Sequence, residues 1–220
     1  MRAVALVVAL SSSLAHADDN TDNHVANLLE VSDGDAFDHH VDAPARAIEI
    51  SVATGYTRGM GAIGDGMQRI EDISRAGASV ELDAMFRIDA TFAVGGYLAL
   101  ARYATVEQVG VLGAGAGVQA VAHLRPDRSA DPWVSLATGW RSLAVSAQGT
   151  PNGSLEGFDL ARVQLGVDYR VNENVAIAPV VGASLSTFVV EESPGRFTEL
   201  ADKTLSVVGF AGLAGRFDLR

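Results

Sequence analysis

ARVQLGVDYRVNENVAIAPVVGASLSTFV, residues 161–189, is the stretch whose reading decides the fold. Val163, Leu165, Val167, Tyr169 and Val171 alternate with Arg162, Gln164, Gly166, Asp168 and Arg170, the period of two that gives a strand one apolar and one polar face. Asn172, Glu173 and Asn174 are turn formers. Val175, Ile177, Pro179, Val181, Ala183, Leu185 and Thr187 then resume the alternation against Ala176, Ala178, Val180, Gly182, Ser184 and Ser186. The two arms predict one β-hairpin with a short turn. Each arm holds eleven or more alternating residues, well beyond the usual strand and enough for the ~9–11 that a tilted strand needs to cross a bilayer.

The chain opens on Met1-Arg2, an apolar run from Ala3 to Leu10, three serines and Ala15-His16-Ala17. A charged start, a short apolar segment and an A-x-A site predict a signal peptide over residues 1–17. The apolar run is too short for the ~20 residues of a spanning helix. The 220 residues contain no cysteine, which excludes disulfides and thiolate metal sites. Eight acidic residues and no lysine or arginine lie between Asp18 and Pro44, so this segment carries most of the net charge of −11. Without sustained periodicity, residues 18–45 are expected to form a flexible periplasmic extension. Nucleic acid is excluded as a partner, because phosphate contacts need clustered Lys and Arg.

The hairpin pattern recurs through residues 46–220. Strands are expected over residues 46–57, 78–88, 92–101, 112–124, 134–141, 161–171, 175–187 and 204–219. Tight turns fall at Asp89-Ala90, at 125–132 and at 172–174; long loops fall at 58–75, 142–160 and 191–203, with a shorter one at 105–110. Eight strands with alternating short and long connections predict an all-β fold, an eight-stranded antiparallel up-and-down transmembrane β-barrel. Closure removes the edges that such strands would otherwise expose.

Alternation alone does not distinguish a membrane barrel from a soluble lipocalin-like barrel with its apolar face inward. A soluble exterior carries abundant charge of both signs. Here the polar face is mostly Gly, Ala and Ser, and Lys203 is the only lysine. As an interior, that face suits a narrow eight-stranded bore filled by side chains. Its charges then become partners: Glu49, Glu81, Asp83 and Asp168 with Arg87, Arg141, Arg162, Arg170 and Arg216, a structural ion-pair network. Such a network is also a plug, so no stable open channel is expected. Phe86, Phe92, Trp133, Tyr169 and Phe217 sit near the short-turn end and Tyr56, Tyr103, Trp140, Phe158 and Phe188 near the long-loop end, as aromatic girdles do. Tyr103, Trp133, Phe158 and Phe188 fall off the apolar register.

Other patterns point to chemistry only superficially. Gly59-Met60-Gly61-Ala62-Ile63-Gly64 matches a dinucleotide fingerprint, but an alternating strand before it and no βα units after it argue for an exposed loop. His39-His40 among acids reads as a solvated pair, not a metal site. Asp33-Gly34-Asp35 begins like a calcium loop, yet Phe37 stands where a ligand is required. Gly113, Gly115 and Gly117 share one strand face and make room for bulky lumen neighbours. Glu81 and Asp83 form an acid pair answered by arginines on the same face. No G-x-S-x-G occurs, and His123, the barrel's histidine, falls at the short-turn end.

With its strand count, loop asymmetry, signal peptide and apolar-alternating last strand, residues 46–220 resemble the small eight-stranded outer-membrane barrels of Gram-negative bacteria, the OmpA/OmpX-like group. The chain ends on Phe217-Asp218-Leu219-Arg220, where members of that group commonly end on an aromatic residue. The resemblance implies an outer-membrane location, lipid as the surrounding partner, and a non-enzymatic monomer serving envelope integrity or surface interaction through external loops. No catalytic, cofactor-binding or metal-binding residue is expected. The competing readings are a periplasmic lipocalin-like carrier of an apolar ligand and a small membrane-embedded lipid-modifying enzyme.

Overall fold

The computed structural model describes residues 43–63, 68–73, 76–106, 109–147, 150–193 and 196–219. The expected signal peptide, and the acidic extension as far as Asp42 with its His39-His40 pair, lie outside the described residues. Ala43 and Pro44, which belong to the expected extension, are buried, and the Ala43 N–H donates to Pro126 O at 2.9 Å.

The barrel strands are β1 (Ile48–Ile63), β2 (Ala76–Arg87), β3 (Phe92–Val106), β4 (Val109–His123), β5 (Ala130–Ala147), β6 (Thr150–Asn172), β7 (Val175–Ser193) and β8 (Leu205–Leu219). Each pairs antiparallel with its neighbours in sequence, and β8 returns to pair with β1 from Ile48↔Leu219 to Gly61↔Ser206. The sheet is thereby closed, an eight-stranded antiparallel up-and-down barrel. Two short strands, Gln68–Arg69 and Arg196–Glu199, and one helical turn, α1 (Ile70–Ile73), sit on the connections at the long-loop end.

Local chemistry makes the tight turns. Asp89 Oδ1 accepts from the N–H groups of Thr91 and Phe92 at 2.7 and 2.8 Å, and Asn172 Oδ1 accepts from Asn174 N–H at 2.9 Å. Both are side chains imitating a backbone turn. At the other end the strands are longer than the alternation indicates. The polar segment expected as a loop over 142–160 is instead strand: β5 continues to Ala147, and β6 starts at Thr150 and runs 23 residues. The segment beginning Gly59-Met60-Gly61, expected as an exposed loop, continues β1 and pairs with Val208 and Ser206. Above a bilayer the outer face of a hairpin meets water instead of lipid, so the apolar alternation lapses while the backbone ladder goes on.

The sheet is greasy outside and polar within. Val118, Leu165, Leu98 and Val52 are exposed on the wall, whereas Glu49, Arg87, Asp168 and Asp159 are sealed inside. A lipocalin-like interior for an apolar ligand is overturned by this orientation. The wall needs a hydrocarbon surrounding, because a continuous apolar patch of this extent is not tolerated in water. Outward aromatics occur at two levels: Phe86, Phe92, Tyr169 and Phe217 near the short turns, and Tyr56 with the directly paired Trp140 and Phe158 near the long hairpins. Phe158 reaches the wall because β6 carries an extra residue between Asp159 and Ala161, which reverses the in/out parity beyond it. Tyr103, Trp133 and Phe188 are lumenal and buried.

Candidate functional site: the lumen

Three tiers of side chains cross the bore. The lowest lies at the short-turn end, where β1, β2 and β8 bring Glu49, Arg87, Arg216 and Asp218 together with His123, Asp131, Asp168 and Arg170. The Arg87 guanidinium lies 3.0 Å from Glu49 Oε2, donates to Ala90 O at 3.3 Å, and sits 3.6 Å from Asp218 Oδ1. Arg216 pairs with Glu49 Oε1 at 3.1 Å and Asp168 Oδ2 at 2.7 Å, and its guanidinium lies 5.0 Å over the Trp133 ring. The Trp133 N–H donates to Asp168 Oδ1 at 2.8 Å, and Arg170 binds Asp218 Oδ2 at 2.8 Å.

His123 is the hub of this tier. Its Nε2 lies 3.1 Å from Arg87 Nη2 and 3.2 Å from Arg216 Nη1, while Nδ1 is 2.7 Å from Asp131 Oδ2. Arginine only donates, so Nε2 accepts from both guanidiniums and Nδ1 carries the hydrogen given to Asp131. That arrangement is a neutral imidazole used as a structural acceptor. A hydrolytic histidine would turn the same lone pair toward a nucleophile. His123, Asp131 and Asp168 also place ligand atoms within 4.8 Å of one another. Both Asp168 oxygens are engaged, however, by Arg216 and Trp133. Two guanidiniums at the histidine repel a second cation, so the cluster does not fit a metal.

The middle tier holds the carboxylates on β2. Glu81 is paired with Arg162 and accepts from Gln164 Nε2 at 3.0 Å. Arg162 in turn lies 4.8 Å over the Tyr97 ring. Ser51 Oγ donates to Asp83 Oδ2 at 2.5 Å, and Asp83 Oδ1 has no hydrogen-bond partner among the described residues. Just above, Asp159 takes a two-pronged bond from Arg141 at 2.6 and 2.9 Å, a Ser186 hydroxyl at 2.5 Å and the Tyr97 hydroxyl at 3.3 Å. Tyr97 needs room to lie across the bore. A β-carbon on Gly117 would come within 2.7 Å of its ring, and one on Gly139 within 2.8 Å of its hydroxyl. The small residues of β4 are thus holes for lumenal rings; Gly113 serves Tyr103 in the same way.

The upper tier is apolar. Ile63, Tyr103, Val111, Leu143, Leu155 and Phe188 converge, and Ile70 of α1 is sealed among them at 1 % exposure. The turn α1 is anchored by Glu71, which accepts from Arg69 at 3.0 Å and from the Gly61 N–H at 3.2 Å. The Arg69 bond holds this carboxyl well below the usual carboxylate range, at about 2. Between the charged tiers and the apolar one is a cavity of about 40 Å³ touching Glu81, Arg141, Arg162, Gln164, Ser184 and Phe210. It has space for a water or two and none for a drug-sized ligand.

All nine charged residues expected to line the lumen are buried there: Glu49, Glu81, Asp83, Arg87, Arg141, Arg162, Asp168, Arg170 and Arg216. The alternation missed Asp131, Asp159 and Asp218. Asp218 was legible, since it lies two residues from Arg216 and must share its face. Asp131 stands beside Pro132 and reads as turn. Asp159 is flipped inward by the β6 bulge, which alternation does not reveal. Among the described residues the buried groups include seven carboxylates and five arginines, so pairing leaves carboxylate in surplus.

No protein-family model matches the chain, and no curated protein matches it by sequence. Among solved structures it is similar to Neisserial surface protein A, with a TM-score of 0.58 and 12% identity over 80% of this chain and 99% of that one. It also matches the N-terminal β-barrel domain of Pseudomonas aeruginosa OprF (TM-score 0.49, 13% identity, 80% of this chain and 100% of that chain). A third match is Ail of Yersinia pestis (TM-score 0.43, 16% identity, 78% and 99%). The closed eight-stranded sheet and the likeness to Neisserial surface protein A give the chain the fold of the small eight-stranded barrels of bacterial outer membranes.

Proposed function

We propose that this chain is a non-enzymatic, monomeric outer-membrane barrel that supports the envelope and presents its long hairpins to the outside, with a lumen that is a plug and not a conduit. The observation that carries the reading is the occupation of the bore. Two charged tiers and one apolar tier cross it in succession, and an eight-stranded barrel leaves little space besides side chains. The buried His123 with its lone pair held by Arg87 and Arg216 supports the non-enzymatic reading, as no hydroxyl among the described residues bonds to it.

Two measurements test this. Purified protein in a planar bilayer is expected to give at most brief, small conductances; long-lived ohmic openings from the monomer would refute the plug. For orientation, cysteines introduced at Glu192 on β7 and at Asn172 in the short turn read out opposite ends of a chain that has none of its own. An impermeant thiol reagent on intact cells is expected to label the first and not the second. Labelling at Asn172 alone would invert the topology.

A further inference from the structure

The outer wall carries two arginines that the lumen does not account for. Arg58 on β1 and Arg102 on β3 are exposed and alternate with outward apolar residues, and their side chains have no hydrogen bond or ion pair among the described residues. They flank β2: Arg58 is paired with Ala76, and Arg102 with Ala78. Across their other sides stand Gly209 and Leu112. No carboxylate is among these cross-strand neighbours. The exposed acids Glu191, Glu192 and Glu199 belong to β7 and the short strand after it.

Their height is informative. Arg58 lies ten residues along β1 from Ile48, and Arg102 ten along β3 from Phe92. At ~3.3 Å per residue and a ~40° tilt, both stand ~25 Å above the lower edge of the apolar wall, the height of a barrel's lipid-facing band. Both guanidiniums therefore emerge at the level where acyl chains give way to headgroups. Between them is a shallow groove, floored by Ala76, Gly77 and Ala78 and walled by Tyr56 and Arg102. Small residues there let an acyl chain lie against the backbone. One strand, β2, lies between the arginines, so two inter-strand spacings of ~5 Å put them ~10 Å apart across the sheet, a span that their long side chains close over one headgroup.

We propose that this face of β1–β3 is a binding site for a phosphorylated lipid of the leaflet at the long-hairpin end, with Arg58 and Arg102 holding the phosphate and the Ala76–Ala78 groove seating an acyl chain. Charge complementarity selects the occupant. Unpaired guanidiniums at a lipid surface recognise phosphate oxygens by charge-assisted bonds, and the apolar floor below them requires a lipid, not a soluble anion. The proposal rests on the membrane reading above.

The test uses the full chain in phosphatidylcholine nanodiscs containing equal minor amounts of bisphosphorylated lipid A and its dephosphorylated form, with lipid retained after detergent extraction quantified by mass spectrometry. Retention of the phosphorylated form is expected to exceed the other at least about fivefold, the effect of a single basic side chain at a lipid surface. R58Q/R102Q should abolish the preference, and R125Q/R128Q, at the short-turn end, should keep it. Equal retention by the wild-type chain, or a preference surviving in R58Q/R102Q, overturns the proposal. Displacement of the lipid by inorganic phosphate alone would show a soluble anion site and overturn it too. A chain that stays in solution without detergent overturns the membrane reading and this site together, whereas one that inserts and retains both lipids equally overturns this site alone.

Discussion

Replacing Arg216 by methionine keeps much of the side-chain volume and removes the charge on which the lowest lumen tier depends. Arg216 is 4 % exposed and joins Glu49 at 3.1 Å to Asp168 at 2.7 Å, while its guanidinium covers the Trp133 ring. Glu49 retains Arg87 at 3.0 Å, so the loss falls on Asp168, which is left with one neutral donor, the Trp133 N–H. Stranding one buried carboxylate costs about 3–5 kcal/mol. The lost cation–π contact belongs to the same truncation and is not added separately. We expect a cost of about 4 kcal/mol, close to a thousandfold in the folding equilibrium. The assay is urea-driven unfolding in lipid vesicles followed by the fluorescence of Trp133 and Trp140. The double variant Arg216→Met with Asp168→Asn removes the stranded charge and should recover most of the loss. A cost under about 1 kcal/mol for Arg216→Met, or a double variant as unstable as the single, would refute the claim that paired charge holds this tier.

Two further predictions follow from unequal roles of like groups. On β2, Glu81→Gln unpairs the buried Arg162 and should cost about 3–5 kcal/mol, while Asp83→Asn keeps an acceptor for Ser51, removes one surplus carboxylate and should be close to neutral; equal costs in the urea assay would contradict the pairing described. The Glu71 anchor of α1 is set by a carboxyl held down at about 2 from an ordinary 4.5, so its stabilising contribution is fully present above pH ~4.5 and is lost as pH falls toward 2. Hydrogen exchange at the Gly61 amide reads this directly: protection that already disappears at pH 5 would place the anchor elsewhere.

The sequence by itself determined the strand count, the meander and which face is polar, because a strand crossing a bilayer must alternate and every tight turn must carry its Asp, Asn or Pro signal. It also determined the lumenal face of Glu49, Glu81, Asp83, Arg87, Arg141, Arg162, Asp168, Arg170 and Arg216, since parity along one strand is a local property. Which charge meets which was decided only by closure of the sheet. Arg216 reaches His123 from 93 positions away along the chain, and Arg87 reaches it from 36; strand register and curvature set those meetings. The bulge in β6 turned Asp159 inward and Phe158 outward, one inserted residue reversing everything beyond it. The heights of β5, β6 and β7 were likewise a tertiary matter, because beyond the bilayer the backbone ladder needs only a partner strand, and composition no longer records where it stops.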